Sequence, residues 1–393
     1  MVRQQTGSRP ARAEKNDERI RDMATGILAG EGVAGLTLGR VARSLGVSHN
    51  VLSSRYGELD DLLCDVWASV AVPQISLTLV WIFGLVARLG DRFTASDAVI
   101  DQGVFRKTRE KLVMLELLAL APTRPKLRKA VQKTFEEQLG DRARNDPHAA
   151  TQATFLFALV IGVQAELRTT SANQSQLAAV MSEVVTGMAQ PGEAVALPEV
   201  DASHMRRYKF QTGDERRDRI LTSCLELVSE RGLVGATTKA IAEHSGVSEG
   251  VIFSLFESKI DIFLEATVIQ SEMGYQANLD FVMSLNERFG TGIGNAILIR
   301  EWLSPDLSRF RASLLEETRI MWHDVDLWRR LYKVKQDLVG DDRLAGKTRL
   351  LSPFEQAVQM VTLAMPIGIY MVGEAFPAAF ELPFSIVTLP VFS

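Results

Sequence analysis

The stretch "GVSEGVIFSLFESK", Gly246–Lys259, has an ungapped counterpart earlier in the chain, "GVSHNVLSSRYGEL", Gly46–Leu59. Each begins with glycine, the residue that turns where others are sterically barred. A valine follows to plug the turn, then a serine able to cap the next helix. The same offset pairs Ile20 with Ile220, Gly32 with Gly232, Gly35 with Gly235, Thr37 with Thr237 and Ala42 with Ala242. It also pairs Val51 with Val251, Ser54 with Ser254, Asp61 with Asp261 and Leu115-Glu116 with Leu315-Glu316. With a few residues inserted, "DPHAATQATFLFALVIG" parallels "SPFEQAVQMVTLAMPIG". The repeat thus covers nearly the whole chain, as one pair of domains duplicated and not as a short solenoid motif.

Each copy opens with an amphipathic helical stripe, Ile20, Ala24, Ile27 and Leu28 in the first and Ile220, Cys224, Leu227 and Val228 in the second. Gly32 and Gly232 are expected to end these helices in a left-handed cap. Thr37 and Thr237 stand where N-caps belong, and Val41-Ala42 and Ile241-Ala242 face inward from a short helix. Gly46 and Gly246 make the turn, and Ser48 and Ser248 cap a third helix that faces outward. That is a helix-turn-helix layout. "SKID", Ser258–Asp261, reads as a capping box for a fourth helix.

With these residues in register, each copy resembles the N-terminal domain of the TetR family of bacterial transcriptional regulators. The resemblance runs over about fifty residues, through "TTKAIAEHSGVSEGVIFSLFESK" in the second copy. It implies that a helical ligand and dimerisation region follows each copy. The chain as a whole looks like two TetR subunits fused head to tail, as in the tandem TetR regulators of actinobacteria. The family's recognition helix has glycine, a hydrophobic residue and tyrosine, followed by Ser-Lys. The resemblance implies that the aromatic hydroxyl and the lysine hold phosphates. The second copy keeps Gly250 and Lys259 but has Phe253; the first has Asn50, Ser53 and Leu59.

Charge favours the first copy. Between Thr37 and Tyr56 stand Arg40, Arg43 and Arg55 with no acid, whereas the matching stretch sets Lys239 against Glu243 and Glu249. Phosphate attraction dominates protein–DNA affinity. His49, Asn50, Ser53 and Arg55 also carry groups that bond base edges. The expected DNA contacts of the first copy are therefore Thr37, Arg40, Arg43, Ser48, His49, Asn50, Ser53, Ser54, Arg55 and Tyr56. Those of the second are Thr237, Thr238, Lys239, Ser248, Glu249, Gly250, Phe253, Ser254 and Lys259. Glu249 can accept from a cytosine amine, or serve as a negative charge at a helix start. Basic runs precede each copy: Arg3, Arg9, Arg12, Lys15, Arg19 and Arg21, then Arg206, Arg207, Lys209, Arg216, Arg217 and Arg219. Such arms can lie in a minor groove or simply be solvated.

The 393 residues suffice for several domains, and the net charge of −4 confines any nucleic-acid surface to a local patch. The two cysteines, Cys64 and Cys224, fit a reducing cytoplasm, and the polar, basic N-terminus has no apolar signal region. Val70–Ala87 is nearly long enough to span a bilayer. Its polar residues, and the polar equivalent in the second half, mark it as a buried core helix, so no membrane partner is expected. No nucleophile–base pair, metal-ligand spacing or phosphate loop points to an enzyme, and no cofactor is expected.

The expectation is an all-α chain of two tandem TetR-like units forming an intrachain pseudo-dimer. Residues 1–16 are a basic arm, 17–64 the first helix-turn-helix domain, 65–189 the first regulatory domain, 190–213 a linker, 214–264 the second helix-turn-helix domain and 265–393 the second regulatory domain. The resemblance implies a four-helix interface near the end of each half, with Gly162 and Gly368 permitting close approach and Pro366 kinking its helix. Candidate ligand-pocket residues are Trp302, Met321, Trp322, Met360, Met365 and Tyr370, which are also natural core residues. An apolar lining favours a lipid-like, steroid-like or aromatic effector, with Arg300, Arg319 or His323 available for an acidic group. The partners expected are double-stranded operator DNA and a small apolar effector, for a monomeric pseudo-dimer or a dimer of such chains. The rival reading is a helical protein-interaction or ligand-binding module with one or both DNA readers inactive.

Overall fold

The computed structural model of the chain describes residues 9–89, 94, 96, 97, 99–190, 192–203, 209–331 and 351–388. Every regular element among them is helical. The chain begins with α1 (Arg9–Glu31), α2 (Leu38–Leu45), α3 (His49–Ser53) and α4 (Leu59–Val66). The same order returns as α11 (Glu215–Gly235), α12 (Thr238–Ser245), α13 (Glu249–Leu255) and α14 (Lys259–Phe289). We call these two four-helix groups the first and second heads. α1 buries Ile20, Ala24, Ile27 and Leu28, and α11 buries Ile220, Cys224, Leu227 and Val228.

Two local details differ from expectation. Gly32 (φ 66°, ψ −170°) and Gly232 (φ 70°, ψ 167°) do end the regular helices, but in an extended region open only to glycine and not in a left-handed cap. That geometry turns the next amide toward the protein interior. The left-handed caps fall instead at Gly46 (φ 67°, ψ 28°) and Gly246 (φ 68°, ψ 33°), where the helix-turn-helix bends. Ser258 caps α14 at Asp261 N–H, yet its hydroxyl also donates to the Asp261 carboxylate at 2.7 Å. The capping box is thus closed side chain to side chain. The reciprocal box with backbone bonds occurs in the first head, between Glu58 and Asp61.

Residues 9–16, expected in a loose basic arm, form the first turns of α1. A proline near a helix start keeps its favoured φ and loses no hydrogen bond, so Pro10 does not prevent this. Arg3, Arg206 and Arg207 lie outside the described residues.

α4 continues through a π-helical turn, Trp67–Ala71, into α5 (Val72–Val86). Domain boundaries at 64/65 and 264/265 therefore fall inside continuous helical segments. The expected burial of Val70–Ala87 holds on one face only. Ile75, Leu79, Ile82 and Leu85 are buried, whereas Leu77 and Val80 are 65% and 70% exposed. The helix lies at the edge of the bundle, so only one stripe meets the core. Three helical stretches, Leu59–Val86, Pro147–Glu166 and Pro353–Ala375, are long and apolar enough to cross a membrane.

The body is built from α6 (Arg109–Leu120), α7 (Pro125–Phe135), α8 (Asp141–Asn145), α9 (Pro147–Glu166) and α10 (Gln174–Met188). From the second half come α14, α15 (Thr291–Leu303), α16 (Ser308–Met321) and α17 (Pro353–Ala375). Its centre is the crossing of α9 and α17, where Gly162 and Gly368 meet. A Cβ on Gly368 would stand 1.8 Å from the Ala158 carbonyl oxygen, and one on Gly162 would stand 2.2 Å from that of Ala364. Only glycine lets two backbones come so close. α10 also packs on α17. The expected four-helix interface is thus three long helices among the described residues. α17, which runs on through Pro366, gives way to the 3-10 turns Pro377–Glu381 and Phe384–Ile386. Pro377 and Pro383 break further helix there.

Residues 192–198 of the expected linker form a docked strap. Gly192 N–H donates to the Ile386 carbonyl (3.0 Å), Val195 N–H to Ser385 Oγ (3.1 Å), and Arg300 to the carbonyls of Leu197 (3.2 Å) and Pro198 (3.0 Å). The first head shares one continuous apolar core with the body. The second head has a separate cluster of its own around Ile220, Cys224, Ile252 and Phe263.

Candidate nucleic-acid interface

In each head the second and third helices form a two-helix corner whose inner side is apolar. Val41, Ala42 and Leu52 are buried in the first, Ile241, Ala242 and Ile252 in the second. Thr37 Oγ1 accepts from Arg40 N–H and Thr237 Oγ1 from Ala240 N–H, both at 3.1 Å, so both threonines cap as expected. Ser248 accepts from Val251 N–H at 3.3 Å; Ser48 makes no such side-chain bond. α3 is correspondingly five residues long, against seven for α13.

The outer side of α13 presents Glu249, Gly250, Phe253 and Ser254, with Phe253 58% exposed. Thr238 is half-buried beside it and Lys239 exposed, 3.9 Å from Glu243. On the first head His49, Asn50, Ser54 and Arg55 are exposed and Ser53 half-buried. The Ser53 and Ser54 hydroxyls donate back to the carbonyls of His49 and Val51, each at 3.1 Å, leaving their oxygens as acceptors.

The charge advantage expected of the first head is largely cancelled. Arg40 grips Glu31 with both terminal nitrogens, at 2.6 and 2.5 Å, and donates to the Gly35 carbonyl at 3.0 Å. The bond to Arg40 holds the Glu31 carboxyl below its usual range. Arg55 turns back onto Asp17. Both acids sit on α1, outside the Thr37–Tyr56 window. Arg43 stays exposed, bonded only weakly to the Gly39 carbonyl at 3.4 Å. The flanks behave alike, for Arg21 lies 3.5 Å from Asp65, and Arg217 pairs with Glu265 while stacking on Phe256.

Two expected contacts are otherwise engaged. Tyr56 is buried, its hydroxyl donates to Asp65 at 2.6 Å, and burial with that carboxylate pushes its pKa up to about 12. It is a core residue because it occupies the inward position that Phe256 fills in the second head. Lys259 is half-buried and donates to the Leu233 carbonyl at 2.6 Å; burial lowers its pKa. One of its three protons is spent on the end of α11.

The six pocket candidates do not gather. Trp302 and Tyr370 meet edge-on at 6.1 Å in the core, and Met321 belongs to a small cluster with Leu264, Leu327 and Leu331. The Trp322 ring carries the Arg168 guanidinium at 4.2 Å, while Met360 and Met365 are half-buried on α17. None of the six lines the two open grooves of about 620 and 470 Å³ beside the strap. Large apolar side chains on helices that already pack in one body fill space instead of leaving it. Arg300 holds the strap, and the buried Arg319 and half-buried His323 belong to an ion cluster.

That cluster is the feature missed by sequence reasoning. Val33 N–H, next to Gly32, donates to Glu116 Oε1 at 3.0 Å, and Leu233 N–H, next to Gly232, donates to Glu316 Oε1 at 2.8 Å. Each glutamate thus ties its own head to the body. A glutamate recurring at one place of the repeat, as Leu115-Glu116 and Leu315-Glu316, was the available signal.

Residues 220–266 match the family model for bacterial regulatory proteins of the tetR family. Over those residues the second head is similar to the DNA-binding helix-turn-helix domain of that family. No curated protein matches the chain.

Proposed function

We propose that the chain is a cytoplasmic TetR-like repressor in which both heads meet DNA, as two unlike readers in one pseudo-dimer. The observation that carries this is the recurrence of the matched domain's element order, turn glycines and threonine caps at the start of the chain. The readers differ in chemistry. The first offers His49, Asn50 and Ser53 with Arg43 for phosphate, and the second an exposed phenylalanine suited to thymine methyl groups beside Glu249. Unlike readers call for unlike half-sites, about 34 Å apart for one helical turn. A small apolar effector would release the DNA by binding in the helical body and shifting the heads.

The pairing of Arg40 with Glu31 and Arg55 with Asp17 favours a second reading, in which only the second head grips DNA. Binding of the full chain to its own upstream DNA, followed by fluorescence anisotropy with rising salt, tests the proposal. Several phosphate contacts give a log–log slope steeper than about −3, since each released counterion contributes about −0.9. Salt-insensitive or absent binding overturns it.

A further inference from the structure

The two glutamates that tie the heads to the body are bridged by a single side chain. Arg319, 4% exposed, donates from Nη1 to Glu116 Oε1 at 3.1 Å. On its other edge it donates from Nη2 to Glu316 Oε1 at 2.8 Å and from Nε to Glu316 Oε2 at 2.9 Å. Glu116 and Glu316 are themselves 0% and 1% exposed. His323 Nε2 lies 2.9 Å from the other Glu116 oxygen, and Arg168, also buried, lies 3.9 Å from it. The guanidinium between the two carboxylates offsets the cost of burying their charge, with His323 and Arg168 adding to it at Glu116. A planar guanidinium reaches two partners on fixed edges, which a lysine cannot do. The path from Val33 through Glu116, Arg319 and Glu316 to Leu233 therefore joins the two heads by buried charge-assisted bonds alone. The ends of the path are tightly held. A Cβ on Gly32 would stand 2.6 Å from His323 Nε2 and 2.8 Å from Glu116 Oε1, and one on Gly232 would stand 3.1 Å from Glu316 Oε1.

We propose that Arg319 is a positioning residue for DNA recognition: by clamping Glu116 and Glu316 together it fixes the separation of the two heads and transmits a disturbance at one to the other. Its use in recognition rests on the proposal that both heads meet DNA; the clamp itself does not. Two heads hung from one rigid bridge accept one spacing of half-sites, and loosening the bridge widens the accepted range.

The test has an arm without DNA and an arm with it. Hydrogen exchange at the Val33 and Leu233 amides is followed in the full chain and in Glu116→Gln and Arg319→Lys. Glutamine keeps an acceptor for Val33 but loses the charge that holds Arg319. Coupling requires Glu116→Gln to speed exchange at Leu233, in the opposite head, by about tenfold or more, and Arg319→Lys to speed both amides. A change confined to Val33 overturns the clamp. Should a variant fail to fold, the wild-type chain decides. With rising denaturant both amides must converge on one opening event, and two separate openings overturn the proposal. In the second arm, sites are selected from a library with variable spacing between half-sites. Wild type should return one narrow spacing and Arg319→Lys a broadened one, an outcome that mere loss of stability does not produce. Identical spacing preferences overturn the positioning role. If wild type binds no DNA, the two-reader proposal fails while the exchange arm still decides the clamp.

Discussion

Replacing Gly368 by alanine probes the contact that joins the two halves. The new Cβ would lie 1.8 Å from the Ala158 carbonyl oxygen and 2.6 Å from its carbon, against the 3.0 Å that real contacts respect. Both obstacles are backbone atoms of α9, so no side chain can swing aside and the helices must separate by about 1 Å. Overpacking typically costs about 1–3 kcal/mol, and a helix pair pushed apart along its crossing belongs at about 3. At roughly 2 °C per kcal/mol for a chain of this size, Tm should fall by about 6 °C. Gly84→Ala supplies the control, because Gly84 is an exposed residue on α5 and a Cβ added there meets nothing within 4 Å. There alanine should gain about 1 kcal/mol of helix propensity and raise Tm slightly. Thermal scans followed by far-ultraviolet circular dichroism, which reports helix content, make the comparison. Equal shifts of the same sign for both substitutions would show that Gly368 does not serve a close crossing.

Three further outcomes follow from the charges. Glu31→Gln frees Arg40 from its only acidic partner among the described pairs, so DNA affinity at low salt should rise and the salt slope steepen by about 1; an unchanged slope in anisotropy titrations places the first head off the DNA. Lys259→Ala should weaken binding to all sequences alike, because the two ammonium protons that Leu233 leaves unused can meet phosphate and not bases; altered selectivity at constant nonspecific affinity contradicts this. Burial alone would raise the Glu116 pKa, but Arg319 and His323 outweigh it and bring the value down from 4.5 to about 2. A depressed carboxylate pKa stabilises the fold fully above about 4.5 and loses that contribution as pH falls toward about 2. Urea titrations should therefore show an acid limb that Glu116→Gln flattens, and an unaltered limb would remove Glu116 from it.

The parts legible in the sequence are those written in local rules. Turn glycines, threonine caps and inward stripes act within a few residues, so Gly46, Gly246, Thr37 and Thr237 sit as their types require. The Gly162–Gly368 meeting was legible because the repeat placed two small residues at matching points of apolar helices. What escaped depends on contacts far apart in sequence. The acids answering Arg40 and Arg55 lie on α1, and only the fold brings them round to α2 and α3. Tyr56 carries a polar tip that suits DNA, yet its position is set by the apolar slot it shares with Phe256. The ligand candidates were not decidable from sequence for a similar reason, since tryptophan and methionine stripes look the same whether they line a cavity or fill one.

The most direct test of two unlike readers on one chain is the stoichiometry and symmetry of the bound site. Sites selected by the full-length protein are footprinted, and the mass of the complex is measured by calibrated light scattering. One chain should cover a non-palindromic site with two different half-sites about 34 Å apart. A perfect palindrome held by two chains through their second heads alone would contradict that reading and leave the first head without a role in DNA recognition.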